Sequence, residues 1–138
     1  MTPEPARFVL DSYALLAFLA DEPGRVRVEN LLTAASQGHC QLLLCLINLG
    51  EILYLTERRR GLRLAQKTQA ILESLPIEMV AVSRNLVLDA AHIKAQHAIS
   101  YADAFVVALA QQENATILTG DPEFQALAGQ VALEWLAD

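Results

Sequence analysis

Asp11, Glu51, Asp103 and Asp121 stand where carboxylates are costly. In FVLDSYALLAFLA, NLGEIL, SYADAFVVALA and ATILTGDPEF each borders or interrupts an apolar run. A carboxylate is expensive to bury unless it is paired, hydrogen-bonded or on a metal. Each of the four has a local explanation as a helix cap. Asp11 precedes a helix beginning at Ser12, Asn48-x-x-Glu51 and Ser100-x-x-Asp103 match the capping-box pattern, and Asp121 precedes Pro122. A cap contributes about 0.5–2 kcal/mol, enough to account for any one of them. It does not account for the setting of Asp103, which on a helix shares a face with Val106, Val107 and Ala110. Nor does it account for four acids together. Carboxylates gathered at one rim raise one another's pKa unless a cation intervenes, and no lysine or arginine stands out in their local segments. A ligand set made of oxygen alone suits Mg2+ or Mn2+ rather than zinc.

The elements that must position these acids are legible from apolar runs and breakers. Strands are expected at 7–10 (RFVL), 41–45 (QLLLC), 77–82 (IEMVAV) and 115–120 (ATILTG), with a fifth, edge strand at 131–136. Helices are expected at 12–20, 25–38, about 47–60, 62–75, 83–98 with Ser83 as N-cap, 100–113 with Ser100 as cap, and a short one at 121–128. Strands that are continuous apolar runs, alternating with helices, mean a parallel α/β sheet covered on both faces. Ligands of such sheets bind beyond the carboxyl ends of the strands, near a switch in strand order. Asp11 directly follows the first strand and Asp121 closely follows the fourth. Glu51 and Asp103 lie in early turns of the helices after the second strand and before the fourth. If the first and fourth strands are neighbours, all four acids reach one rim.

At 138 residues the chain is expected to be a single domain, 1–138, with 54% hydrophobic residues, rich against a typical ~45–50%. Some of that excess suits a subunit or partner interface. No apolar run approaches a membrane span, and MTPEPARFVLD carries no signal-peptide pattern, so the cytoplasm is the expected location. Cys40 and Cys45 have no companion ligands for a zinc site, and Cys45 is expected to be a small buried hydrophobe. His92 and His97 do not share a helical face, and His39 lies beside a loop, which leaves no histidine acid–base arrangement. The net charge of −6 argues against a generally basic nucleic-acid binder. The cations are nevertheless clustered: Arg58, Arg59, Arg60 and Arg63, with Lys67 nearby, are candidate phosphate contacts. Arg58 shares the helical face of Glu51 and residue 55. A solvated helix end explains the same cluster equally well.

In the motifs VLDSYALLAFL, NLGEILY, SYADAFVVALA and ILTGDPEF, in that order across nearly the whole chain, the sequence resembles PIN-domain ribonucleases, and more closely VapC-like toxins of type II toxin–antitoxin pairs. The resemblance implies a three-layer α/β/α fold with a central, mostly parallel, four- to five-stranded sheet. It places the family's acidic quartet on Asp11, Glu51, Asp103 and Asp121, and a supporting hydroxyl on Thr119, with Ser12 supporting at most. It further implies RNA cleavage dependent on Mg2+ or Mn2+, a homodimer, and inhibition by a cognate antitoxin protein.

Within that chemistry Asp11 and Asp103 are expected to be the principal metal ligands, completed by Glu51 and Asp121 directly or through water. Glu51 is also suited to orienting or deprotonating the water. A haloacid-dehalogenase-like phosphatase would need a second Asp where Tyr13 stands. A receiver domain would need a paired early acid and a late lysine that TILTGDPEF does not offer. A non-catalytic α/β binding module acting through apolar helices, with the acids as caps, and another Mg-dependent phosphohydrolase are the alternatives.

Overall fold

Leu42, Leu43 and Leu44 show why the strands read as unbroken apolar runs. Successive side chains on a strand point to opposite faces of the sheet, and here both faces are buried. Leu42 and Leu44 pack with Leu10, Leu15, Leu31, Ile52, Leu72 and Leu118 on one face. Leu43 packs with Val9, Ile117, Leu86, Phe105 and Phe124 on the other. In this computed structural model residues 4–136 are described. The outermost residues of the expected domain and of the N-terminal MTPEPARFVLD stretch, 1–3 and 137–138, lie outside them.

The strands are β1 (Ala6–Leu10), β2 (Cys40–Cys45), β3 (Glu78–Val80), β4 (Thr116–Thr119) and β5 (Leu133–Trp135). They form one sheet in the order β3-β2-β1-β4-β5 with every neighbouring pair parallel. The helices are α1 (Ser12–Leu19), α2 (Arg25–Ser36), α3 (Leu46–Arg60), α4 (Leu62–Ser74), α5 (Arg84–Gln96) and α6 (Tyr101–Glu113). α1 to α4 contribute to the Leu42 face, and α5 and α6 cover the Leu43 face, giving three layers. The order reverses at β1, which pairs with β2 on one side and β4 on the other. The register Leu10↔Leu118 puts Asp11 and Thr119 next to each other just past the paired residues. The switch point therefore lies beneath two of the four acids.

Several boundaries differ from the sequence expectation. β3 spans three residues rather than 77–82. Its register ends at Cys45↔Val80, and β2 turns straight into α3 there, so residues 81–82 have no strand left to pair with. α3 begins at Leu46 with Cys45 in the N-cap position and no side-chain cap. α2, α4 and α5 each end one or two residues early. The short helix expected at 121–128 is a 3-10 helix, Pro122–Leu127, started by Asp121. β5 keeps only the three residues that pair with Ile117–Thr119. Among the described residues no helix is long and apolar enough to cross a membrane.

Candidate metal centre

Asp11 leaves β1 and caps α1: its Oδ1 accepts from the Ala14 backbone N–H at 2.8 Å. Its Oδ2 accepts a short hydrogen bond from the Thr119 hydroxyl at the end of β4. The same Thr119 oxygen accepts from the backbone N–H of Asp121 at 2.9 Å. One hydroxyl thus ties Asp11 to the turn that carries Asp121. Asp11 is fully buried, and burial pushes its carboxyl from the ordinary 3.8 up to about 7. The bonds from Thr119 and Ala14 pull it down, while the charges of Asp121 and Glu51 add to the rise.

Glu51 does not form a box with Asn48. Because α3 starts at Leu46, Asn48 falls inside the first turn rather than at the cap. Glu51 Oε1 instead accepts a short hydrogen bond from the Ser12 hydroxyl, so Ser12 holds Glu51 toward Asp11. Asn48 is fully buried. Its side-chain amide donates to the Ala102 carbonyl at 3.3 Å, next to Asp103, and its own carbonyl lies 3.4 Å from Ser12 Oγ. The Asn48 Oδ1 is buried with no hydrogen-bond donor.

Asp103 occupies the first turn of α6 and is buried. Half of the expected capping box forms, since Ser100 Oγ accepts from the Asp103 N–H at 3.1 Å. The other half comes from elsewhere: the Ser100 N–H donates to Glu123 at 3.3 Å. Glu123, in the first turn of the 3-10 helix, also shares a hydrogen bond with the Asp103 side chain. Burial pushes Asp103 well above the carboxylate range. The shared bond with Glu123 and the charges of Asp121 and Asp11 push the same way. Glu123 moves down, first through that bond, and its Lys94 neighbour on α5 contributes. Lys94 is thus a cation near the cluster that the local segments did not reveal. Asp121 Oδ1 accepts from the Glu123 N–H at 3.0 Å, so its capping role is real.

The charges of Asp121 and Glu51 reach Asp11, and those of Asp121 and Asp11 reach Asp103. The tightest group includes a residue that sequence reasoning missed: carboxylate oxygens of Asp103, Asp121 and Glu123 lie within 4.8 Å of one another. Asp11 and Glu51 stand outside that trio, held by Thr119 and Ser12. The DPEF stretch could have flagged Glu123, but an acid in a helical first turn has an ordinary dipole explanation. The residues fit a divalent ion. The donors are all oxygen, two of the carboxyls are pushed up by burial and like charge, and Asn48, whose side chain reaches the residue before Asp103, has a buried amide oxygen without a donor.

The arginines divide. Arg58 lies over the Tyr54 ring at 5.3 Å. Arg59 and Arg60 line, with Lys67, Leu16, Leu55 and Ile71, a groove of about 640 Å³ between α1, α3 and α4 that contains none of the four acids. Arg63 is exposed on α4.

An all-parallel sheet with carboxylates beyond its switch point defines the class: an α/β protein with an acidic site at the strand ends. More narrowly, the chain belongs to the PIN domain family, whose model matches residues 8–130. Solved structures show the same fold. A chain of VapBC2 from Rickettsia felis, bound to a DNA fragment from their promoter, aligns with a TM-score of 0.74 at 18% identity, covering 94% of this chain and 98% of that one. VapC20 from Mycobacterium tuberculosis, a Sarcin-Ricin loop cleaving toxin, aligns at 0.67 and 22%, covering 88% and 94%. FitAcB from Neisseria gonorrhoeae aligns at 0.67 and 19%, covering 91% and 95%. A search of the curated proteins finds no match.

Proposed function

We propose that this protein is a divalent-metal-dependent endoribonuclease and the toxin of a toxin–antitoxin pair, with Asp11, Glu51, Asp103 and Asp121 as its working acids. The observation that carries this is the meeting of acids from distant segments at the β1/β4 switch point, where burial and like charge push the Asp11 and Asp103 carboxyls up and a bound cation would relieve both. Membership of the PIN domain family and the likeness in fold to VapC20 and the VapBC complexes support the same reading.

Asp103 and Asp121, with Glu123, would hold Mg2+ or Mn2+, and Asp11 would reach it from the β1 side. Bound there, the ion supplies charge relief on the phosphoryl oxygen and lowers the pKa of the attacking water. The chain's own residues do the rest. Thr119 keeps Asp11 aimed by donating to Oδ2, which leaves Oδ1 to fix the start of α1. Ser12 fixes Glu51 through Oε1, leaving Oε2 to orient water or accept its proton. Arg58, braced on Tyr54, and Arg59, Arg60 and Arg63 are the proposed contacts for RNA phosphates.

We read residues 1–138 as one domain working in the cytoplasm, with a cognate antitoxin protein as its inhibitor. The exposed apolar side chains Leu46, Ile47, Val87 and Leu88 support a homodimer. The test is direct: purified protein cleaves RNA with Mg2+ or Mn2+ and stops with EDTA.

A further inference from the structure

Gly120 sits between Thr119 and Asp121, and its backbone does not require glycine, since its φ is outside the left-handed region. What the position lacks is room. A Cβ there would overlap Cε1 of Tyr13 and stand 2.9 Å from Cδ1 and 3.0 Å from Cζ, inside ordinary carbon contact. The Tyr13 ring is therefore pressed against the backbone of the turn that carries Asp121. It remains 44% exposed. Its neighbour Ser12 points into the acidic site and bonds Glu51, while Tyr13, one residue round α1, lies across the turn. A half-exposed aromatic ring is thus seated on the turn between Thr119 and Asp121, beside the carboxylate cluster.

We infer that Tyr13 is a fixed stacking platform for one unstacked nucleobase beside the scissile phosphate. This rests on the ribonuclease reading and adds a specificity-determining residue to it. A ring stacks on any base, and in an A-form duplex the bases are already stacked and inaccessible to it. Gly120 is the complement of this arrangement: any side chain there would push the ring off its seat. The competing explanation is that Tyr13 merely braces the β4 exit turn, and that predicts no dependence on the base.

The experiment compares kcat/KM of the wild type and Tyr13→Ala on a cleavable single-stranded oligoribonucleotide. An abasic nucleotide is then walked through the positions around the cut. In the wild type, one position next to the cut should cost about tenfold when abasic. Tyr13→Ala should lose about as much on the intact RNA and nothing further from the abasic nucleotide at that position. Tyr13→Phe, which keeps the ring, should retain the base dependence. An equal Tyr13→Ala deficit on intact and abasic RNA would overturn the platform in favour of bracing. So would a wild type indifferent to abasic nucleotides everywhere. Failure of the wild type to cleave any RNA would overturn the ribonuclease reading, and the platform with it.

Discussion

Thr119 uses one hydroxyl twice, donating to Asp11 and accepting from the Asp121 backbone. Thr119→Val keeps the shape and leaves two buried or half-buried groups without partners. It should cost about 1–3 kcal/mol, read as a lower Tm, and reduce RNA cleavage, while Thr119→Ser should retain both. Asp11 and Asp103 set a pH dependence. Their carboxyls titrate higher in the folded protein than the ordinary 3.8, Asp11 at about 7. Above 3.8 the unfolded chain therefore binds fewer protons than the folded one, and stability falls as pH rises. Protein freed of metal should lose Tm steadily between about pH 4 and 8. Saturating Mn2+ should flatten that curve, and Asp103→Asn should remove part of the slope and raise the metal-free Tm at pH 8. A Tm of the EDTA-treated protein that climbs over this range would contradict the assignment. The acids were legible in sequence because each interrupts an apolar run. Glu123 was not, because its partner Asp103 lies on another element and the pairing exists only in the fold.

At the scale of elements, the junction of β2 and α3 decides where Glu51 points. LLLCLI is one apolar run, so the sequence does not mark where strand becomes helix. A box with Asn48 as cap would need the helix to start at Leu49; with α3 starting at Leu46, Asn48 lies inside the first turn and its side chain reaches across to α6. That three-residue difference explains why an expected capping box is instead a bridge between two site-bearing helices. Asn48→Ala should cost about 0.5–1.5 kcal/mol in stability. Calorimetry should also show weaker Mn2+ binding, since the bond that ties α3 to the backbone before Asp103 is lost; unchanged affinity would remove Asn48 from the site. Parallel strands, helix order and the covered faces were legible from run length and punctuation. The ends of β3 and β5 were not, because an edge strand stops where its neighbour stops, a matter of register.

The whole molecule carries a net charge of −6, and its acidic site must still admit a polyanion. Lys94 lies near the cluster, and of the cations at the end of α3 it is Arg58 that shares the helical face of Glu51. Measured in an Asp103→Asn background to prevent turnover, RNA binding should weaken with salt. Arg58→Ala should reduce that log–log slope by about 0.7, the value for one phosphate on a single strand. An unchanged slope would return Arg58 to the solvated helix end. The central claim is that acids brought together at the β1/β4 switch point hold an ion that enables RNA hydrolysis. Its most direct measurement is RNA cleavage by wild type and Asp103→Asn, each folded by circular dichroism, with Mn2+ and with EDTA. The wild type should cut only with the ion, and Asp103→Asn should not cut under either condition. Full cleavage by folded Asp103→Asn, or by the wild type in EDTA, would contradict it.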